Sequence, residues 1–292
     1  MSNKPLVSVC MVAYNHESFI KQAIEGVLMQ KGDFNLHLII GDDASKDKTG
    51  IIYKEYAERY PQKISFFQNK TNLGTKRNFY KTMNMITGEY MAFCEGDDYW
   101  TDSNKLNKQI NFLEENKDYN ICFHRTQVLL KDGRLVNDFI TKVPCADTTV
   151  DDLIRAGNYI HTPSVVYRNN FTIPPWYWEC PIGDYPLYVL AAKNGKIKCL
   201  NEFMAVYRYG GRFSRLHPVK KRLAFLIALN ELIKNCPDEK IKVGLIKKQK
   251  KEFHCFLLIY LLLGKRDIDD LKMVTQMPVN SLLRFLILKF IK

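Results

Sequence analysis

The sequence has no CxxC pair and no cysteine–histidine spacing of the kind that binds zinc, although it contains eight cysteines. Several of these cysteines lie inside apolar runs, where a thiol packs as a small hydrophobic group. The pattern argues against a disulfide-rich scaffold and a zinc module. It favours a reducing compartment such as the cytoplasm.

Long apolar segments are also missing. The longest uninterrupted apolar run, at 255–263, has nine residues, roughly half of what a helix needs to cross a bilayer. The N-terminus enters a predicted strand after about six residues without an apolar h-region, so we expect no signal peptide. Internal repeats and low-complexity linkers are absent from the sequence. We therefore expect a globular cytoplasmic protein.

The net charge of +12 is concentrated near the C-terminus, where residues 216–292 hold 16 Lys and Arg against 7 Asp and Glu. This region has helical patterns at 219–235 and 241–263 and an amphipathic piece from Ser281. Basic helices with apolar faces bind anionic membrane surfaces. The alternative is a helical subdomain with solvated lysines. Nucleic acid is not an expected partner, because no recognised binding motif accompanies the charge.

Strand and helix patterns alternate over the first hundred residues. Apolar β-branched runs predict strands at 7–14, 36–40, 64–67 and 90–94, and 3.6-residue periodicity predicts helices at 17–30, 47–60 and 76–87. Ser45 is the predicted cap of the second helix. This alternation predicts an α/β fold with a mostly parallel sheet and right-handed crossovers.

The second half of the chain is less regular. Its patterns predict a helix at 105–116, a strand at 121–130 entering a hairpin, a strand at 162–167, a Pro- and aromatic-rich loop at 174–178, a helix beginning at Asp184 and one or two strands at 197–208. We expect a catalytic domain over 1–215 and a basic helical region over 216–292.

Acidic residues gather where two of the predicted strands end. Glu95, Asp97 and Asp98 follow one strand around Gly96, which lets the backbone approach a ligand closely. Such carboxylates repel one another, and Mg²⁺ or Mn²⁺ with open positions for phosphates would relieve the repulsion. The alternative is a surface turn rich in Asp.

A second acidic turn, Asp42 and Asp43, ends another predicted strand. In a parallel sheet both acidic turns open at the same edge, where α/β proteins bind ligands.

Five short motifs follow one another in order: VAYN at 12–15, GDDASKDKT at 41–49, NLGTKRN at 72–78, GEYMAFCEGDD at 88–98 and IGDYPL at 182–187. With these motifs, residues 5–215 resemble the family 2 glycosyltransferases. The resemblance implies a GT-A fold and an inverting enzyme that uses a nucleotide sugar, with a UDP-sugar the expected donor.

The resemblance also implies a nucleotide site. Asp43 would accept the N3–H of uracil, with Asp42 as the alternative, and Tyr14 would place its ring against the base. Arg77 would contact a base edge or a phosphate. Tyr14 as a strand-end core residue and Arg77 as a surface ion pair are the alternatives. The nucleotide-binding set is Ala13, Tyr14, Asp42, Asp43, Asn72, Arg77, Glu95, Gly96 and Asp97.

For the metal, the resemblance makes Asp97 the main ligand and Asp98 its support, with Glu95 nearer the ribose. Glu95 departs from the family, which usually has Asp there. A bound Mg²⁺ or Mn²⁺ would neutralise the leaving diphosphate as a Lewis acid.

For the reaction, the resemblance makes Asp184 the general base that takes the proton of the acceptor hydroxyl, because inversion requires direct displacement. The alternative is that Asp184 only caps the following helix. Trp176 and Trp178 precede it and suit a sugar ring, or they are loop core.

The sequence departs from the family once more. The family often has YRxHxxG near the end of its catalytic domain, whereas residues 207–212 read YRYGGR. The third metal ligand is therefore missing from its usual place. Either His217 reaches back, or Arg208, Arg212 and Arg215 hold the diphosphate.

The expected function is transfer of a hexose or N-acetylhexosamine to a hydroxyl of a growing surface glycan, such as an O-antigen or capsule repeat. A lipid-linked acceptor would fit a peripheral location on the inner face of the plasma membrane. The alternative, motivated by the missing histidine, is a non-catalytic subunit that binds nucleotides or glycans.

Overall fold

The computed structural model describes residues 4–144, 147–211 and 216–262, with side chains to residue 256. These residues divide into two compact units. The first contains 4–144, 147–173 and 187–211, and the second contains 174–186 and 216–262. Residues 174–186 thus group with the C-terminal helices, whereas the sequence predicts them as part of the domain over 1–215. The predicted amphipathic piece from Ser281 lies outside the described residues.

Strands and helices alternate over the first half of the chain in the predicted order. They are β1 (Leu6–Ala13), α1 (Ile20–Leu28), β2 (Asn35–Asp42), α2 (Thr49–Arg59), β3 (Ile64–Gln68), α3 (Thr75–Met83) and β4 (Tyr90–Phe93). β1 pairs in parallel with β2 and β4, and β2 pairs in parallel with β3. The predicted parallel sheet is therefore confirmed. Its central strands are apolar on both faces because both faces are covered.

The second half of the chain adds further strands to the same sheet, some parallel and some antiparallel to their neighbours. Its elements are β5 (Tyr99–Trp100), α4 (Lys105–Glu115), β6 (Tyr119–Leu129), β7 (Leu135–Asn137), α5 (Val150–Ala156), β8 (Val166–Arg168) and β9 (Lys196–Arg208). The strand order is β3-β2-β1-β4-β8-β6-β9-β5, with β7 paired to β6 as the predicted hairpin. β8 is antiparallel to both of its neighbours, and β9 is parallel to β6.

Three local predictions were wrong or incomplete. Ser45 does not cap α2, which begins at Thr49 after Lys48 without a side-chain cap. The predicted strand at 162–167 is a 3-10 turn followed by the short β8. Helix α5 was not predicted, although Thr149 and Asp152 form a capping box at its start; this box is a recognisable sequence signal.

Trp100 anchors the chain directly after the acidic turn at 95–98. Its side chain is 2% exposed and its indole N–H donates to the Pro163 carbonyl at 2.8 Å. The fully buried Lys105 places its ammonium 4.0 Å from the centre of the Trp100 ring and donates to Gln109 at 2.9 Å. Burial lowers the pKa of Lys105 to about 7. The chain that follows the turn is thus held in place by the buried side chains of Trp100 and Lys105.

The second unit consists of a 3-10 turn (Pro175–Glu179), the start of α6 (Asp184–Ala192), α7 (Pro218–Lys234) and α8 (Glu239–Leu262). α6 continues from Leu187 into the first unit. Tyr185 contacts Phe225 of α7 with ring centres 4.9 Å apart. Among the helices described, none has the length and apolar content needed to cross a bilayer.

Buried charges join α7 to α8. Glu252 is 6% exposed, forms an ion pair with Arg222, and lies 3.1 Å from the ammonium of Lys248, itself 7% exposed. Phe253 and Phe256 are fully buried nearby in sequence. A buried carboxylate needs such partners because its desolvation is otherwise too costly.

Candidate functional site

The two acidic turns meet at the carboxyl end of β1. Ala13 is opposite Asp42 in the sheet register, and the Asp43 N–H donates to the Ala13 carbonyl at 2.9 Å. On the other side of β1, the Gly96 N–H donates to the Val12 carbonyl at 3.0 Å. Both turns therefore open at one edge of the sheet, as the strand alternation predicted.

Asp43 organises the segment that follows β3. Its carboxylate accepts hydrogen bonds from the Asn69 side chain at 3.0 Å, the Leu73 N–H at 2.8 Å and the Gly74 N–H at 2.8 Å. The Asn72 side chain donates to the Asp43 carbonyl at 3.2 Å. A carboxylate has about four acceptor positions, so one is left for a ligand such as a base N–H.

Asp42 is fully buried and its carboxylate accepts four hydrogen bonds. The donors are the Ser45 N–H and hydroxyl, the Tyr53 hydroxyl at 3.3 Å and the Gln68 side chain at 2.9 Å. Burial, reinforced by the Asp42 charge, raises the pKa of Tyr53. These four hydrogen bonds from the protein fill the acceptor positions of the Asp42 carboxylate. Asp43, itself 2% exposed, is therefore the carboxylate of this turn that keeps an unused acceptor position.

Side chains also tie the β1 turn to the β2 turn, which the sequence did not reveal. The Asn15 N–H donates to the Ser45 hydroxyl at 2.9 Å, and the His16 N–H donates to the Thr49 hydroxyl at 2.7 Å. Asn15 and Ala44 have φ of 55° and 62°. Positive φ is costly for residues other than glycine and often marks functional sites. Ser45 thus acts as a bridge between turns.

Tyr14 and Arg77 lie at the surface near this edge. Tyr14 follows β1 and is 42% exposed, which argues against its alternative role as a core aromatic. Arg77 is exposed on α3 and, in the described part of the chain, has no ion pair. The alternative of a structural surface ion pair is therefore not observed for Arg77.

The turn at 95–98 brings three carboxyl groups close together. Burial raises the pKa of Asp98 well above its usual range, with further contributions from the Asp97 and Glu95 charges. One Asp98 oxygen accepts from the Arg208 N–H at 2.8 Å. Within residues 4–256 where side chains are described, the other oxygen is buried without a donor. A cation would satisfy such an oxygen.

The residues present fit a divalent cation held by few protein ligands. Asp97 is half-buried beside the buried Asp98, and a Cβ on Gly211 would lie 3.6 Å from an Asp97 carboxylate oxygen. Across the described residues, no three His, Cys, Asp or Glu side chains form a ready metal cluster. Mg²⁺ sites that use one or two carboxylates plus substrate phosphates have this character.

Arg208 lies beside the same turn. Its guanidinium carbon is 4.8 Å from the centre of the Phe19 ring and 4.9 Å from that of Tyr99, and it donates to the Gln22 side chain. These contacts hold the cation at the edge of the sheet near Asp98. Arg212 and Arg215, the other predicted diphosphate contacts, lie outside the described residues.

In the second unit, Asp184 is the first residue of α6 and is half-buried. Before it, the Tyr177 hydroxyl donates to the Gly183 carbonyl at 2.8 Å, and the Tyr177 ring contacts Trp178 edge-on at 4.6 Å. Trp176 and Trp178 are half-buried. The His217 ring caps α7 by accepting from the Val219 N–H at 3.4 Å.

Comparisons with known proteins agree with this architecture. Residues 8–169 match the sequence model of the family described as Glycosyl transferase family 2. An uncharacterized protein of Mycobacterium tuberculosis is 41% identical over 206 residues, 69% of this chain and 58% of that protein. This chain thus spans under two thirds of that relative's length. The putative teichuronic acid biosynthesis glycosyltransferase TuaG of Bacillus subtilis is 32% identical over 246 residues, 76% of this chain and 94% of the relative.

Solved structures share the fold. Residues 1–349 of S. aureus TarS, in complex with UDP, align with a TM-score of 0.67 and 19% identity, covering 92% of this chain and 78% of that one. The mannosyltransferase PcManGT of Pyrobaculum calidifontis, in complex with GDP-Man and Mn²⁺, aligns with a TM-score of 0.62 and 12% identity, covering 99% and 80%. The predicted GT-A fold is confirmed, and the family match over more than half of the chain shows that this protein belongs to glycosyltransferase family 2.

Proposed function

We propose that this protein is an inverting glycosyltransferase that moves a hexose or N-acetylhexosamine from a UDP-sugar to a hydroxyl of a cell-surface glycan. The observation that carries the proposal is the pair of acidic turns on either side of the β1 end, one with an open acceptor on Asp43 and the other with an unmatched oxygen on Asp98.

The nucleoside would bind along the β1 and β2 turns. Tyr14 offers an exposed ring for the base and Asp43 accepts its N–H, while the Ala13 backbone and the loop at Asn72 border the same edge. Arg77, which has no ion pair among the described residues, offers its guanidinium to a base edge or a phosphate. The choice of uridine is supported by TarS, a neighbour in fold whose structures include UDP and UDP-GlcNAc.

The diphosphate would lie between the turn at 95–98 and Arg208. Asp97 and Asp98 would hold Mg²⁺ or Mn²⁺, with Glu95 toward the ribose. When bound, this cation supplies Lewis-acid neutralisation of the leaving diphosphate. Arg208, which contacts the Phe19 and Tyr99 rings, offers a positive charge on the same side.

Asp184 is the proposed general base. Asp184 stands at a helix start, where the helix dipole favours a carboxylate, and a carboxylate there can accept a proton from the acceptor hydroxyl. The half-buried Trp176 and Trp178 are proposed acceptor contacts in the same unit.

The acceptor is proposed to be a cell-wall or capsule-type glycan. Two relatives by sequence, TuaG and the minor teichoic acid biosynthesis protein GgaB of Bacillus subtilis, carry names from anionic wall-polymer synthesis. A lipid-linked acceptor would bring the enzyme to the inner face of the plasma membrane.

Helix α8 supports such a location. Its exposed residues include Glu239, which pairs with Lys242, and at helical spacing Lys240, Val243, Lys247, Lys250, Lys251 and His254. The carboxylate of Glu252 is buried and paired inside the unit, so it does not offset this cationic face. Each cation near an anionic bilayer contributes roughly 1 kcal/mol to binding.

The decisive experiment is incubation of the protein with a panel of nucleotide sugars, with and without Mn²⁺, read out by released nucleotide. Slow release from one UDP-sugar, dependent on the metal, is the expected result. Tight nucleotide binding without any turnover in the presence of glycan acceptors would instead identify a non-catalytic binding subunit.

A further inference from the structure

An exposed aromatic pair lies on the first unit, outside the residues assigned so far. Phe139 is 57% exposed and Tyr209 is 38% exposed, with their ring centres 5.6 Å apart at an interplanar angle of 59°. The adjacent Ile140 is 45% exposed. Contiguous exposed apolar side chains are a feature of ligand-binding surfaces.

The loop that carries Phe139 is rigidly held. The Asp138 carboxylate accepts from the Ile140 N–H at 2.7 Å, the Thr141 N–H at 3.2 Å and the Thr141 hydroxyl. It also lies 3.1 Å from the His161 ring nitrogen, with both side chains 8% exposed. Although burial alone would raise it, the neighbouring His161 ring and the hydrogen bonds from Thr141 and Ile140 hold the pKa of Asp138 at about 2. The loop is therefore preorganised, which lowers the entropy cost of binding.

Tyr209 is fixed from the other side. Its N–H donates to the Leu129 carbonyl at 2.9 Å, which continues the pairing of β9 with β6. Two residues earlier, Tyr207 stacks on His161 with ring centres 5.1 Å apart. The same buried histidine thus contacts Asp138, the residue before Phe139, and Tyr207, two residues before Tyr209.

The pair is close to the proposed metal site. Gly211, two residues after Tyr209, lies against the Asp97 carboxylate. Two residues of extended chain span at most about 7 Å. Between them, Gly210 has φ +117° and leaves room for Lys131, whose Cε would be 2.8 Å from a Cβ on Gly210. The aromatic pair and Asp97 therefore border the same region.

We propose that Phe139 and Tyr209 form an acceptor platform, on which a pyranose ring of the acceptor glycan packs its C–H face. This inference rests on the proposed function. A pyranose has an apolar C–H face and a polar edge, which suits two aromatic rings beside a lysine. A saccharide fits better than a protein partner because the patch consists of two rings and one isoleucine, far less than a stable protein interface.

The test is saturation-transfer NMR with methyl β-D-glucopyranoside and methyl 2-acetamido-2-deoxy-β-D-glucopyranoside, in the presence of UDP and Mg²⁺. The wild type should saturate the ring-face protons of at least one glycoside. Phe139→Ala and Tyr209→Ala should each weaken binding roughly tenfold, because each removes one stacking ring. Phe139→Trp should retain it.

Phe203→Ala is the matched control. Phe203 is an aromatic on β9, 38% exposed like Tyr209, but six residues of strand, about 20 Å, separate the two. Equal saturation in the wild type, Phe139→Ala and Tyr209→Ala would overturn the platform, as would absent saturation in the wild type. A wild-type dimer on size-exclusion chromatography that Phe139→Ala converts to a monomer would also overturn it, in favour of a second copy as occupant.

Nucleotide release from UDP-sugars, measured on the same samples, separates this inference from the proposed function. Metal-dependent release with unaltered glycoside binding in both alanine variants would refute only the platform. Glycoside binding that depends on Phe139 and Tyr209, without release from any donor, would refute only the transferase.

Discussion

The backbone N–H of Arg208 donates to the carboxylate of Asp98 at 2.8 Å, which joins the end of β9 to the acidic turn after β4. This bond uses one Asp98 oxygen and leaves the other buried without a donor among the described side chains. Asp98 therefore supports the turn through one oxygen and is a proposed cation ligand through the other, whereas the half-buried Asp97 is the more accessible carboxylate. The two residues should respond differently to substitution.

Asp97→Asn should lower the affinity for UDP in the presence of Mn²⁺ by at least about tenfold, because a ligand charge worth at least 1.4 kcal/mol is lost. The affinity measured with EDTA should hardly change. Isothermal titration calorimetry with UDP, once in Mn²⁺ and once in EDTA, measures the two affinities. Asp118→Asn is the control, since Asp118 precedes β6 at the opposite end of the β6–β9 pair. Equal metal dependence in Asp97→Asn and the wild type would remove Asp97 from the metal site.

Asp184→Asn should lower the rate of sugar transfer by roughly 10² to 10⁴, the range for loss of a general base. Its UDP affinity should stay within about twofold of the wild type, because a proton acceptor acts mainly in the transition state. Single-turnover transfer and UDP titration measure the two quantities. Transfer at the wild-type rate would show that Asp184 is not the base and has only a structural role at the start of α6.

Asp43→Asn should destabilise the protein by about 1–3 kcal/mol, because the new amide group faces the N–H of Leu73 or Gly74 and leaves a buried donor unpaired. Urea unfolding followed by circular dichroism checks this. Asp33→Asn serves as control, since its ion pair with Lys4 is exposed. An unfolding midpoint unchanged by Asp43→Asn would show that the loop at 72–74 does not depend on this carboxylate.

The sequence predicted the strand and helix alternation because each element there has a clear period, and it predicted the shared edge because parallel strands place their ends together. It could not show which carboxylates accept hydrogen bonds from the protein itself and so have fewer acceptor positions for a ligand. Asp42 and Asp43 are neighbours in one motif, yet four donors surround Asp42 and three surround Asp43. Those donors come from up to 31 residues away, beyond any local pattern.

Other features were missed for similar physical reasons. Ser45 has the residue type and position of a helix cap, but its hydroxyl is taken by Asp42 and Asn15, so tertiary contacts overrode the local signal. Phe139 and Tyr209 have ordinary strand-like surroundings in sequence. Only their exposure and proximity in space distinguish them from core aromatics.

Lys105 should make stability depend on pH. Its folded pKa of about 7 is below the unfolded value of 10.5, so between these values the unfolded state binds more protons and stability rises with pH. Between pH 7 and 9 this group should contribute about 2–3 kcal/mol of that rise. Lys105→Met should remove the contribution. Urea unfolding of both proteins at several pH values checks this, and identical slopes would contradict it.

The cationic face of α8 should bind anionic vesicles. Lys247, Lys250 and Lys251 are exposed on one side of the helix, so replacing all three with Gln should weaken binding to phosphatidylglycerol-containing vesicles by about 3 kcal/mol, or roughly 100-fold. Flotation in low salt measures this, and high salt should abolish the difference because it screens exposed charges. The control replaces the exposed Lys46, Lys63 and Lys70 with Gln, which removes the same charge from the first unit. Equal losses in both triple variants would mean that net charge, and not the α8 face, drives the binding.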